Sequence, residues 1–455
     1  MAARRQRDDA HAQPSDGCAV KVVSGGTLVT EAGPARVDVG IDEETIAAVG
    51  SSLSGEVLFD ATGLHVFPGF FDAHVHFLDE NLSELENFTD AGRAAVAGGI
   101  TTVMDMPLND PVTATAAAFE NRLAVVGRKT ITDFALWAGC IPGNVEELEP
   151  MRDLGARAFK AFMREAGSFP HCDSADLLVG MQEAARLGVP FGVHAESDDL
   201  MRARTAQMRA AGRNDAEAHM WAQSPFVEYE AINRAIVLAR EAGCRLHVMH
   251  VGAVAALPEI AASEHVLGEG QISLLTMDSD DYIKHGTWAR FAPPLRPRED
   301  VERLWEALAD GTLSYVISDH SGGSPADKEV PTIWDASDGA GATQTCYPLL
   351  LSEGVHRRGI SLERFVTLSS SCAARVYGLY PRKGAVIPGR SDADLAIVDL
   401  NKKWTIDPAD LYYRHRWTPQ AGVEVTGRVV ATIRRGELVY AEGEVLAQPG
   451  SGLAV

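Results

Sequence analysis

The chain has 455 residues, 46% of them hydrophobic and 23% charged, the balance of a globular enzyme with a large core. Lys and Arg number 41 against 63 Asp and Glu, a formal charge of −22, which argues against nucleic acid or an anionic membrane surface as a partner. No apolar run approaches the roughly 18 residues needed to cross a bilayer. The six cysteines (Cys18, Cys140, Cys172, Cys244, Cys346, Cys372) show no paired spacing and are expected to be reduced, in a cytoplasmic protein.

Residues 1–18 carry two early arginines but no apolar stretch behind them, so they are expected to form a disordered tail rather than a secretory signal. From residue 19 to 64 the runs AVKVVSGGTLVT, ARVDVGIDEETIAAVG and EVLFDATG are short and alternating, the pattern of strands joined by tight turns. Residues 384–455 look alike, in DADLAIVDL and EVTGRVVATIRRGELVYAEGE. Two β-rich ends around one long middle predict a small β-sandwich formed by the N- and C-terminal segments.

Residues 65–383 alternate differently. Eight apolar runs recur: HVFPGFFDAHVHF, TTVMDMP, TDFALWAGC, ARAFKAFM, VPFGVHAE, RLHVMHVG, ISLLTM and LSYVISDH. Amphipathic stretches such as SADLLVGMQEAARLG, EYEAINRAIVLAREAG and REDVERLWEALADG fall between them, each ending in a glycine suited to a helix C-terminus. This predicts an α/β fold, a (β/α)8 TIM-like barrel, with a doubly wound sheet as the alternative.

Ligand-type residues gather at the predicted strand ends. His74 and His76 are two apart on a strand, so both imidazoles share a face and can grip one ion. His194 ends the fifth strand, His250 the sixth, and Asp319 the eighth, all at the rim where barrels keep their chemistry. Lys160 sits in a strand whose apolar neighbours would make an unpaired ammonium costly. Singly, each has a bland reading, as a satisfied core histidine, a loop cap or half of a buried ion pair; their joint placement favours a metal site. His247 is expected to face the barrel's outer layer, His320 to point away from the rim, and His65 to lie too early to reach it. His171, His219, His265, His285, His356 and His415 fall in loops or helices.

GFFDAHVHF, GGITTVMDMPLN, ARAFKAFM, FGVHAE, CRLHVMHVG, APPLR and VISDHS follow in order, and together they resemble the cyclic amidohydrolases. The likeness runs from about residue 20 to 445. That family includes allantoinases, dihydropyrimidinases (hydantoinases) and dihydroorotases; MDMPLN and YRHRW are most like the allantoinase branch. The resemblance implies two divalent metal ions, with zinc suited to imidazole and carboxylate donors. It assigns His74, His76 and Asp319 to one ion and His194 and His250 to the other, bridged by a carboxylated Lys160. It further implies a metal-bridging hydroxide as nucleophile, with Asp319 as the catalytic proton carrier, opening a cyclic amide ring. No organic cofactor is called for, and a homo-oligomer, tetramer or dimer, is expected.

Some segments depart from that family's pattern. The stretch ISLLTMDSDDYIKHGTWARF lacks the motif that usually follows the seventh strand, leaving the role of Met277 to Tyr282 open. LDENLSELENF lacks the arginine a dihydroorotase would need. Arg164, in MREAGSFPH, is expected to solvate the surface rather than meet a substrate. The segment Leu200 to Arg213 is either a lid or a surface helix. Allantoin, converted to allantoate in purine catabolism, is the leading substrate. A hydantoin, a dihydropyrimidine or another cyclic imide or lactam is the alternative. A non-catalytic relative that has lost its ligands is disfavoured, because all six positions are filled here.

Overall fold

The computed structural model describes residues 21–455; the tail expected over residues 1–18, with Cys18, lies outside them. The β-rich ends form two stacked sheets. One has four strands in the order Thr45–Gly50, Asp38–Asp42, Lys21–Ser24, Glu56–Asp60. The other runs Glu444–Val445, Glu437–Ala441, Glu424–Arg434, Leu395–Thr405, His65–Pro68, Thr27–Thr30, Gly33–Arg36. His65–Pro68 is antiparallel to Leu395–Val398 and parallel to Thr27–Leu28, so the opening of HVFPGFF is a sandwich strand rather than the start of a barrel strand. Alternation explains how the seven-stranded sheet is buried on both sides. Leu395 and Ile397 join Val23, Val39 and Ile41 between the sheets, while Ala396 and Val398 face the barrel's helical layer.

The middle of the chain closes into the expected barrel of parallel strands. We number them β1 (Phe70–His76), β2 (Ile100–Asp105), β3 (Asp133–Gly139), β4 (Ala158–Phe162), β5 (Phe191–His194), β6 (Leu246–Val248), β7 (Val266–Gln271) and β8 (Leu313–Ile317). Each pairs with the next, and the chain just beyond β8 closes the ring, His320 and Ser321 pairing with Val75 and His76 of β1. Ser318 N donates to Asp72 Oδ1 at 3.1 Å across that seam.

The seventh strand is not where the apolar run predicted it. ISLLT is a short buried helix, Ile272–Thr276, and the strand is the preceding VLGEGQ. It is closely packed: a Cβ on Gly268 would come within 2.9 Å of Leu313 Cδ2. The Gly-Glu-Gly sequence therefore hides a strand behind a turn-like composition.

The outer helices start and stop on chemical signals. Ser174–Leu187 opens on a reciprocal capping pair between Asp173 and Asp176 and stops at Gly188, φ 72°. Pro225–Ala242 and Arg298–Asp310 likewise end at Gly243 and Gly311, both at positive φ. The barrel interior is a packed plug of Phe71, Met104, Trp137, Met249, Tyr315 and Ile317, sealed below by Tyr377 and Leu379. Its upper end, at the strand C-termini, opens to a cavity.

Candidate active site

A cavity of about 610 Å³ sits over that end, and His74, His76, Lys160, His194, His250 and Asp319 all contribute to its floor. Their directions come partly from regular strands and partly from local departures. On β4, Ala158 points into the plug, so Lys160 and Phe162 follow inward by alternation. On β5, Gly192 occupies the inward position below His194, where a Cβ would lie 2.4 Å from Met249 Cε and 2.8 Å from Trp137 Cζ3. On β1, pairing with β2 shifts between Asp72 and Val75, and His74 within that irregular stretch and His76 just beyond it both reach the cavity.

His250 and Asp319 are non-glycine residues at positive φ, 33° and 47°, a backbone state that must be held by its surroundings. The turn at His250 breaks the parity of β6. His247 therefore points inward, not to the outer layer as expected, with Nε2 3.0 Å from the Tyr315 hydroxyl and Nδ1 2.9 Å from that of Tyr377. His320 does point away from the cavity, its Nε2 3.1 Å from Glu86 Oε2.

The donor atoms fall into two groups. His74 Nε2 and His76 Nε2 lie 3.2 and 3.3 Å from Asp319 Oδ1. His194 Nδ1 lies 3.0 Å from His250 Nε2, and the two sets meet where the His74 and His250 rings approach to 5.5 Å. Lys160 is buried nearby, its Nζ against Met249 Sδ and 4.5 Å from the centre of the Phe162 ring, with no carboxylate partner among the described residues.

Electrostatics follow from this crowding. Burial pushes the Lys160 amine down to about 7, against the opposing pull of Glu269 and Asp319. Burial also holds His76, His194 and His250 below the ordinary imidazole range, leaving neutral rings with lone pairs to offer. For Asp319 burial opposes ionisation, but His74, His76 and His250 outweigh it and keep the carboxyl well below its usual value. Gln271 Nε2 donates to Asp319 Oδ2 at 2.8 Å.

Two residues that orient these donors escaped the sequence reading. Glu269, on the unrecognised β7, accepts at 2.6 Å from His74 Nδ1 and at 3.1 Å from the His250 backbone N–H. Glu196, two residues after His194, lies 2.7 Å from His194 Nε2. Arg164 was expected at the surface and is not there. It is 8% exposed, lines the cavity, and places Nε 3.1 Å from Glu196 Oε2 and Nη2 3.1 Å from Asp338 Oδ2. Only an ion-paired guanidinium is tolerated at such a depth, and a loop composition could not announce those partners.

A model of the amidohydrolase family matches residues 65–439. The chain belongs to that family. The resemblance drawn from the motifs is thus borne out, as is the barrel with its accompanying sandwich. An allantoinase of Solibacter usitatus is 38% identical over 440 residues, covering 95% of this chain and 96% of that protein. An L-hydantoinase of Paenarthrobacter aurescens is 36% identical over 443 residues, covering 95% and 96%. Among solved structures, the L-hydantoinase (dihydropyrimidinase) from Arthrobacter aurescens superposes with a TM-score of 0.92 at 36% identity, covering 95% of this chain and 98% of its own. A D-hydantoinase does so at 0.90 and 30% identity, covering 96% and 98%.

The walls of this amidohydrolase cavity are unlike one another. Leu78, Leu82, Leu85 and Leu108 make one side apolar; Arg164, Arg290, Ser337 and Asp338 make the other polar. On the β7 side the lining comes from Arg290, Phe291 and Ala292, not from Met277 to Tyr282. The capped helix Ser279–His285 begins in that earlier stretch, and the Tyr282 hydroxyl lies 2.7 Å from His219 Nδ1. Helix Asp198–Ala210 contributes nothing to the cavity among the described residues and is mostly exposed, as a surface helix would be.

Proposed function

We propose that this amidohydrolase hydrolyses a cyclic ureide, opening allantoin to allantoate. The observation that carries the reading is the paired donor set. His74, His76 and Asp319 offer ligand atoms all within 4.8 Å of one another, and His194 faces His250 beside them. Lys160 lines the same cavity, buried and without a carboxylate partner among the described residues.

The residues fit two divalent cations. Glu269 holds His74 by Nδ1, and Glu196 and Arg164 both engage His194 at Nε2, which turns His74 Nε2 and His194 Nδ1 toward the other donors. His74, His76 and Asp319 would hold one ion, and His194 and His250 the other. Lys160, carboxylated on Nζ, would bridge them, and its depressed basicity leaves a large share of the amine unprotonated for that reaction near neutral pH. Zinc suits the imidazole and carboxylate donors. Such ions supply a water acidic enough to attack at neutral pH and polarise the scissile carbonyl.

The chain's own residues do the rest. Asp319 takes a proton from the attacking water and returns it to the ring nitrogen as the amide bond breaks. Gln271 fixes that carboxylate through Oδ2. The leucine wall and Phe162 limit bulk water over the ring.

The same leucines favour a second reading, a hydantoinase acting on rings with an apolar substituent. A homo-oligomer belongs to the proposal, supported by exposed Trp221, Phe226 and Val237 on neighbouring helices. A cytoplasmic setting is supported by the free cysteines, four of the five described being buried.

The test is to load the protein with zinc or cobalt and bicarbonate and follow loss of allantoin, hydantoin, dihydrouracil and dihydroorotate in parallel. Preferred turnover of allantoin supports the proposal. Preferred turnover of hydantoin or dihydrouracil moves the assignment to the second reading, and inertness toward all four contradicts both.

A further inference from the structure

At the polar wall two guanidinium groups share one acid. Arg164 Nη2 lies 3.1 Å from Asp338 Oδ2, and Arg290 Nη1 lies 2.7 Å from Asp338 Oδ1. Both arginine side chains are nearly enclosed, 10% and 13% exposed, and both line the cavity.

Their hydrogen bonding is incomplete. Arg164 commits Nε to the Glu196–His194 pair, Nη1 to Glu165 O and Nη2 to Asp338, three of the five N–H groups a guanidinium carries. Arg290 Nε and Ser337 Oγ are buried without a partner. Asp338 Oδ1, although within ion-pair distance of Arg290, receives no aligned hydrogen bond. Those three atoms are enclosed, so what a ligand in the cavity can meet is the two N–H groups that Arg164 leaves uncommitted and the Asp338 carboxylate, whose side chain is 34% exposed. Asp327 lines the same cavity, and with Asp338 and Glu196 it offsets the two arginines, so this wall does not select an anion.

We propose that Arg164, with Arg290 and Asp338, is the specificity determinant for a planar, uncharged ureido arm on the scissile ring. The guanidinium donates to the arm's carbonyl, and Asp338 accepts from its N–H groups. This rests on the ring-opening reading above and selects within it. A ring with an apolar arm, or none, leaves these groups unpaired and loses their contribution.

The experiment compares kcat/KM for allantoin and for unsubstituted hydantoin in metal-loaded wild type, Arg164→Met, Arg164→Lys and Arg290→Met, with metal content read on each. The allantoin-to-hydantoin ratio is expected to fall about 10- to 100-fold in Arg164→Met and Arg290→Met, mainly through KM for allantoin, with partial recovery in Arg164→Lys. Arg290→Met is the safeguard, because Arg290 touches none of the proposed metal ligands. If wild type prefers allantoin but the ratio stays put in both methionine variants, Arg164 serves His194 and Glu196 alone and the proposal is wrong. If wild type opens hydantoin and ignores allantoin, the substrate assignment itself is wrong and the proposal goes with it.

Discussion

Glu269 Oε1 lies 2.6 Å from His74 Nδ1, deep beneath the cavity floor. That contact fixes which nitrogen of His74 faces Asp319, and the same oxygen also accepts the His250 N–H. One carboxylate therefore orients a donor from each half of the proposed centre. Glu269→Gln preserves its volume but loses the charge-assisted bond. Metal affinity is expected to fall about 10- to 100-fold, by titration with a competing chelator. Unchanged affinity would mean that His74 is held by packing alone.

Lys160 is proposed to carry the bridging role. In bicarbonate enriched with carbon-13, the metal-loaded protein should show a carbamate signal that Lys160→Met lacks, and the variant should hold less metal. A wild-type spectrum without the signal removes the bridge from the account.

Gly192 is needed because the plug has no room for a methyl group at that point. A Cβ there would lie 2.4 Å from Met249 Cε and 2.8 Å from Trp137 Cζ3. Gly192→Ala is expected to cost about 1–3 kcal/mol, read as a lower midpoint in thermal or denaturant unfolding. Met249 also touches Lys160, so metal content should drop with it.

Lys328 gives a pH signature away from the metal ligands. It is fully buried, with Nζ 2.7 Å from Ser337 O, and burial pushes its pKa down to about 7 despite Asp338 and Asp327. The folded chain therefore binds fewer protons at this group than the unfolded chain between about pH 7 and the ordinary value of 10.5. Stability from this group rises with pH across that window. Wild type should gain thermal stability relative to Lys328→Met on going from neutral to mildly alkaline buffer. A constant difference between the two would contradict the buried, depressed amine.

The sequence made much of this legible, for identifiable reasons. Helices announced themselves by apolar period and terminal glycines, as at Gly188 and Gly243, and the inward ligands on β4 and β5 followed from simple alternation. Legibility failed where parity broke or composition misled. The positive φ of His250 broke the alternation, so that His247 and His250 both face inward, and Gly268 and Gly270 disguised β7, concealing Glu269. Arg164 was misjudged because its partners, Glu196 and Asp338, come from distant parts of the chain. Long-range ion pairing leaves no local signature.

Asp319 is proposed as the proton carrier of the ring-opening centre that these converging side chains make. The most direct test is the rate of allantoin loss in wild type and Asp319→Asn, compared at matched metal content. That role predicts turnover by wild type and a drop of at least about 100-fold in the variant, with the fold intact by circular dichroism. An Asp319→Asn protein as active as wild type, or a fully metal-loaded wild type inert toward allantoin, would contradict it.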